Sequence, residues 1–177
     1  RRPSTPDPSP PRARPAHPDR SPGRWRMQSS DESLVPLVIN CWPTSTGGSN
    51  YEVNVEYELG SQWVLHDVLI TIPVPADPPT NIGASAGEAQ YSRREGAIVW
   101  SIPMIDADNS SATVEFAAGS IPAGRGEAAF FPIRVSFAST CTFCDVDVPA
   151  VVSADDESAQ QPFTKTAGLA VESYSIE

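Results

Sequence analysis

Apolar and polar residues alternate without a break along Tyr51-Glu52-Val53-Asn54-Val55-Glu56-Tyr57-Glu58-Leu59. A period of two sends successive side chains to opposite faces. The run therefore predicts a strand with one face in a core and the other in water. Further apolar segments predict strands over 37–42, 64–74, 97–102, 112–117, 131–138, 143–152 and 169–176. Turn chemistry separates them: Thr46-Gly47-Gly48-Ser49, Pro78-Pro79, Glu95-Gly96, Asp108-Asn109-Ser110-Ser111 and Gly124-Arg125-Gly126. No window of a dozen residues keeps a helical apolar face free of Pro or turn signals. Strands at this spacing predict an all-β, antiparallel β-sandwich. Pro36, Pro73, Pro103 and Pro132 lie in or beside these strands. Lacking a backbone donor, they are expected at strand ends, edges or bulges. Ile72-Pro73 and Ile102-Pro103 both read as strands leaving through an Ile-Pro exit.

Composition divides the chain. Of 177 residues, the first 24 hold 8 of the 19 Pro and 6 of the 12 basic residues, against Asp7 and Asp19. Residues 25–177 then carry 6 basic and 20 acidic residues, a net charge of −14. Residues 1–23 are expected to be a disordered Pro/Arg-rich tail, since Pro withholds donors and little there can be buried. The acidic remainder should repel nucleic acid and anionic membrane and prefer basic partners or apolar contacts. No run of 18 apolar residues is present, and no secretory-signal pattern opens the sequence.

Candidate chemistry is thin. Cys141 and Cys144 form a C-x-x-C, but Cys41, His66 and His17 are too scattered to complete a zinc site. The following DVDVPAVV reads as strand rather than the helix a thioredoxin-type site needs. Ordinary reduced thiols of an intracellular protein are the expectation. His66 lacks a nucleophile elbow nearby, and IDADNSS (105–111) lacks the twelve-residue calcium loop, so a solvent-facing His and an Asx turn are expected. Arg93-Arg94 reads as a solvated hairpin turn, or as an anchor for an acidic segment. Trp25, Trp42, Trp63 and Trp100 are read first as packing residues, with Trp42 capping a sandwich edge and Trp100 the best placed for peptide contact. No cofactor is expected, and no convergent set of catalytic groups appears. Short-peptide recognition suits such a sandwich.

Several blocks, in order, carry a family resemblance: Trp25-Arg26-Met27-Gln28, Ile39-Asn40-Cys41-Trp42-Pro43, Val55-Glu56-Tyr57-Glu58-Leu59, Trp100-Ser101-Ile102-Pro103-Met104-Ile105-Asp106, Phe130-Phe131-Pro132-Ile133-Arg134-Val135-Ser136-Phe137 and Val171-Glu172-Ser173-Tyr174-Ser175-Ile176-Glu177. Over residues 24–177 the chain resembles the delta subunits of coatomer, the COPI vesicle coat. The resemblance implies a partial mu-homology domain, mainly its second sandwich subdomain plus the returning C-terminal strands. It implies a non-enzymatic coat subunit in Golgi-to-ER and intra-Golgi transport, in the cytoplasm and on the cytosolic face of Golgi membranes and coated vesicles. Implied partners are the other coatomer subunits, an Arf-family GTPase indirectly through the coat, and Trp-containing peptides of tethering factors and a GTPase-activating protein. Membrane association would be peripheral, through the coat. The peptide site is expected around Ile82, Tyr91 and Trp100, although packing within the sandwich also accounts for these residues.

Relative to that family, the resemblance leads us to expect that the sequence lacks an N-terminal longin-like domain and the early strands of the first subdomain. The final strands, about 162–176, are therefore expected to lack partners and present an apolar edge. Two other readings of the residues stay open. One is an unrelated β-sandwich module recognising a carbohydrate or protein surface, which Ca²⁺-dependent or glycan binding would favour. The other is an enzyme using Cys141 or Cys144, which would require an activity lost on Cys141→Ser.

Overall fold

The structure is a computed structural model, and it describes residues 35–60, 62–75, 77–143, 147–156 and 158–177. Among these residues the alternating segments become strands stacked as two antiparallel sheets. The first sheet has the order β1-β2-β7-β4 and contains β1 (Leu37–Gly47), β2 (Asn50–Leu59), β4 (Thr80–Ala84) and β7 (Ser111–Ala118). The second has the order β11-β8-β3-β6-β5 and contains β3 (Leu65–Pro73), β5 (Glu88–Ser92), β6 (Ala97–Ile105), β8 (Ile133–Ser139) and β11 (Leu169–Ile176). A separate two-stranded pair joins β9 (Val151–Val152) to β10 (Gln160–Gln161). The all-β antiparallel sandwich expected from the alternation is present.

Period two explains the core. In β2, Val53, Val55 and Tyr57 point inward and are buried, while Glu52 and Glu58 are exposed. In β3, Val68, Ile70 and Ile72 are fully buried and alternate with exposed Leu69 and half-buried Thr71. The two inner faces meet where Tyr57 of the first sheet packs on Trp100 of the second, ring centroids 5.3 Å apart. The Tyr57 hydroxyl donates to the Asn109 carbonyl at 3.0 Å, so its burial leaves no polar group unpaired.

The prolines sit where a missing donor is tolerated. Pro36 and Pro132 precede β1 and β8, and Pro73 ends β3. Pro103 corrects the Ile-Pro exit read for 97–102, because β6 continues past it to Ile105. It lies opposite Asp67, between the pairs Val68↔Ile102 and His66↔Met104. Asp67 has φ +51° and is the extra residue where β3 slips register against β8. β5 reaches only Ser101, so the other side of β6 at Pro103 requires no ladder bond.

Two expectations are corrected at the C-terminal end. The strand expected over 143–152 reduces to Val151–Val152, with residues 144–146 outside the described set. The final strand does not lack a partner: β11 pairs with β8 from Leu169↔Ser139 to Ile176↔Ile133, with a bulge between Val171 and Tyr174. Only its outer edge is open. The expected tail, 1–23, lies outside the described residues.

Candidate functional site

The residues expected to bind peptide gather along one side of the sandwich, where the edge strands of the two sheets, β4 and β5, adjoin. Sequence reading missed both strands, since each is five residues long and neither has a run of large apolar groups. A tight crossing, Ser85-Ala86-Gly87, carries the chain from one sheet to the other. Gly87 has φ +69°, and a Cβ there would lie 2.4 Å from the Ser101 carbonyl oxygen. Only glycine allows this close approach.

Ile82 lies on β4 and Tyr91 on β5, both half-buried against the common core. Tyr91 stands opposite Ile98, and Ala89 opposite Trp100. Trp100 itself is fully buried, and its Nε1 donates to the Ala86 carbonyl at 2.8 Å. Trp100 therefore holds the crossing from beneath, while Ile82 and Tyr91 are the members that reach the surface.

The other candidates separate. His66 is half-buried at the start of β3, and Asp67 beside it is exposed. The IDADNSS segment is a capped turn. Asp106 Oδ1 accepts from the Asp108 amide at 2.9 Å, Asn109 Oδ1 accepts from the Asp106 amide at 2.7 Å, and Asn109 Nδ2 donates to the Met104 carbonyl at 2.8 Å. These side chains are engaged with local backbone. Arg93 and Arg94 form the β5–β6 turn, and the Arg94 side chain, 92% exposed, lies 3.6 Å from Glu95. Burial pushes the Cys41 thiol up to about 12, so it stays protonated and a poor nucleophile at neutral pH. Cys141 is a free thiol and Cys144 lies outside the described residues. Among the described residues no three His, Cys, Asp or Glu side chains gather to hold a metal. Nor is any helix long and apolar enough to cross a membrane.

Trp63 is buried and packs on Phe143 at 4.8 Å. Trp42 instead is 51% exposed on the outer face of β1. The sequence held the signal for this. Counting outward from buried Leu37 and Ile39 places Val38, Asn40 and Trp42 on the opposite face.

The profile of the adaptor complexes medium subunit family matches residues 23–176. The chain belongs to this family. Within the family, it is 36% identical over 155 residues to the coatomer subunit delta of Arabidopsis thaliana, covering 86% of this chain and 28% of the plant protein. The chain thus spans little more than a quarter of that relative. The yeast delta-COP-I mu-homology domain superposes with a TM-score of 0.60 at 24% identity, over 83% of this chain and 59% of the yeast one. The same yeast domain complexed with a Dsl1 WxWxV peptide matches with the same TM-score and coverage at 26% identity. The sandwich is therefore a mu-homology fold.

Proposed function

We propose that this chain is a non-enzymatic recognition module of a COPI-type coat that binds short Trp-containing peptides of accessory proteins. The observation that carries the reading is the likeness to the yeast delta-COP-I domain solved with a WxWxV peptide. The domain would act in Golgi-to-ER and intra-Golgi transport, on the cytosolic face of Golgi membranes and coated vesicles. It would work with the other coatomer subunits and, through the coat, with an Arf-family GTPase. Tethering factors and a GTPase-activating protein would supply the peptides.

The β4–β5 side is the proposed docking site. Edge strands present unpaired backbone groups to an extended peptide, and pockets between alternate side chains give selectivity. Ile82 and Tyr91 supply the apolar contact, and Trp100 fixes the crossing between them from within. The test is calorimetric titration of the chain with a short Trp-x-Trp peptide. Binding at about micromolar strength, near −8 kcal/mol, is expected. Tyr91→Ala should weaken it roughly tenfold or more while the thermal midpoint stays nearly constant. Absence of binding would overturn the reading. Binding indifferent to both Tyr91→Ala and Ile82→Ser would remove the site from this edge.

A further inference from the structure

The outer face of the first sheet has a charge pattern that the peptide-binding proposal leaves unused. None of its four strands carries a Lys, Arg or His. The register places Glu58, Glu56, Asn54 and Glu52 of β2 in one row on this face. On one side they face Val38, Asn40, Trp42 and Thr44 of β1. On the other, Asn54 is paired with Glu115 of β7, whose Oε1 accepts from Asn54 Nδ2 at 2.8 Å. Asn54 Oδ1, beside Trp42 in register, is buried and receives no hydrogen bond among the described residues. Neither ion pair seen among the described residues lies here: Arg94–Glu95 is in the β5–β6 turn, and Lys165–Asp147 lies outside the two sheets. At one end the face runs into an open cavity of about 370 Å³, whose lining includes Glu52, Asp77 and Thr46.

We infer that this face docks an extended basic segment of a partner protein, with Lys or Arg at alternate positions, against Trp42 and the β2 glutamates. Like charges held on one sheet face repel each other, and nothing on these strands offsets them. Side chains two apart on a strand are roughly 7 Å apart, which is also the spacing of alternate basic residues in an extended peptide. A half-exposed indole beside carboxylates offers a cation a ring face as well as a counter-charge. The cavity beside Asp77 admits one long basic side chain at the end of the row. The row of β1 and β2 is separated from β4 by β7 and selects opposite chemistry, so it stands or falls independently of the Trp-peptide proposal.

The probe is a decapeptide of alternating Lys and Thr, titrated into the chain by calorimetry, with the Glu-Thr decapeptide as control. Saturable binding of the Lys peptide alone is expected at roughly 20 mM salt, weakened by about tenfold at roughly 200 mM. Trp42→Ala should lower affinity about three- to fivefold. Glu56→Gln with Glu58→Gln should lower it by at least as much. Glu88→Gln with Glu95→Gln removes the same charge from the second sheet's side and should leave binding unchanged, as should Tyr91→Ala. Thermal midpoints of the surface variants should match that of the parent chain.

Three results would overturn the inference. The first is equal loss from both glutamate pairs, which would reduce the effect to net charge. The second is binding unaffected by Trp42→Ala. The third is binding that appears only once Arg12, Arg14, Arg20 and Arg24 are changed to Gln, which would assign the face to the chain's own basic N-terminal segment.

Discussion

The sandwich and the stretch between its last two strands, residues 140–168, use similar residue types to opposite effect. In the sandwich, valines alternate with polar groups and are buried: Val53, Val55 and Val114 are 2%, 0% and 0% exposed. In 140–168, valines recur without that alternation, Val151 and Val152 being adjacent, and Val148, Val151 and Val152 are 40–48% exposed and Phe163 is 42% exposed. Apolar strand-forming residues are buried only where a partner sheet faces them. Where β2 finds β1 and β7 on either side, the backbone is paired along the whole strand. Where β9 finds only two residues of β10, the backbone is paired but the side chains have no facing layer.

The sharpest way to break the contrast is inside the sandwich, at Trp100. Trp100→Ala removes the largest fully buried side chain, the tilted contact with Tyr57 and the indole donor to the Ala86 carbonyl. A loss of about 3–5 kcal/mol is expected, a large share of the total stability of a small domain. Urea denaturation monitored by circular dichroism measures it. A loss under about 1 kcal/mol would mean that the two sheets do not depend on this contact.

A smaller effect is expected where the sheets are tied at their rim. Tyr174 of β11 donates its hydroxyl to the Leu37 carbonyl of β1 at 2.6 Å, joining edge strands of opposite sheets. Tyr174→Phe should cost about 1 kcal/mol near pH 8. Burial holds the Tyr174 phenol well above its ordinary range. Tyr57 is raised too, by burial and then by the negative charge of Asp106. Each folded-state pKa exceeds its unfolded value, so the folded chain retains protons that the unfolded chain loses. The contribution of these two phenols to stability is therefore fully present below about pH 10 and is lost as pH rises beyond it. Tyr174→Phe should make that alkaline fall shallower. An unchanged slope would show that the hydroxyl is not sequestered between the sheets.

The same contrast accounts for what the sequence disclosed. Long alternating runs were legible: β2 begins one residue before the expected segment, and β11 spans 169–176 as expected. β4 and β5 were not, because Thr80–Ala84 and Glu88–Ser92 owe their conformation to neighbours β7 and β6 rather than to their own pattern. The partner of β11 was equally hidden, since pairing with β8 spans about thirty intervening residues that carry no signal of it. Trp100 was read first as a packing residue, and its full burial agrees, but its hold on the β4–β5 crossing was not legible. Its strand is covered along one edge by β5, which the sequence did not reveal. Trp42 was the reverse: its position in the alternation marked it as outward, but an aromatic residue near a strand end is ordinarily read as packing.

The smallest effect tests the other half of the comparison. Val151→Ser combined with Phe163→Ser replaces two exposed apolar side chains that belong to no part of the buried core. Side chains this exposed lose less on truncation than core ones, because a large share of their surface is already hydrated in the folded chain. The pair should shift stability by no more than about 0.5 kcal/mol and leave the urea slope unchanged. A comparable truncation in the sandwich would remove contacts on every side and cost several times more. If the double substitution instead cost more than about 1 kcal/mol, these residues would have to be covered in solution by a second copy of the chain. The loss would then grow with protein concentration, which a denaturation series over a hundredfold range would reveal.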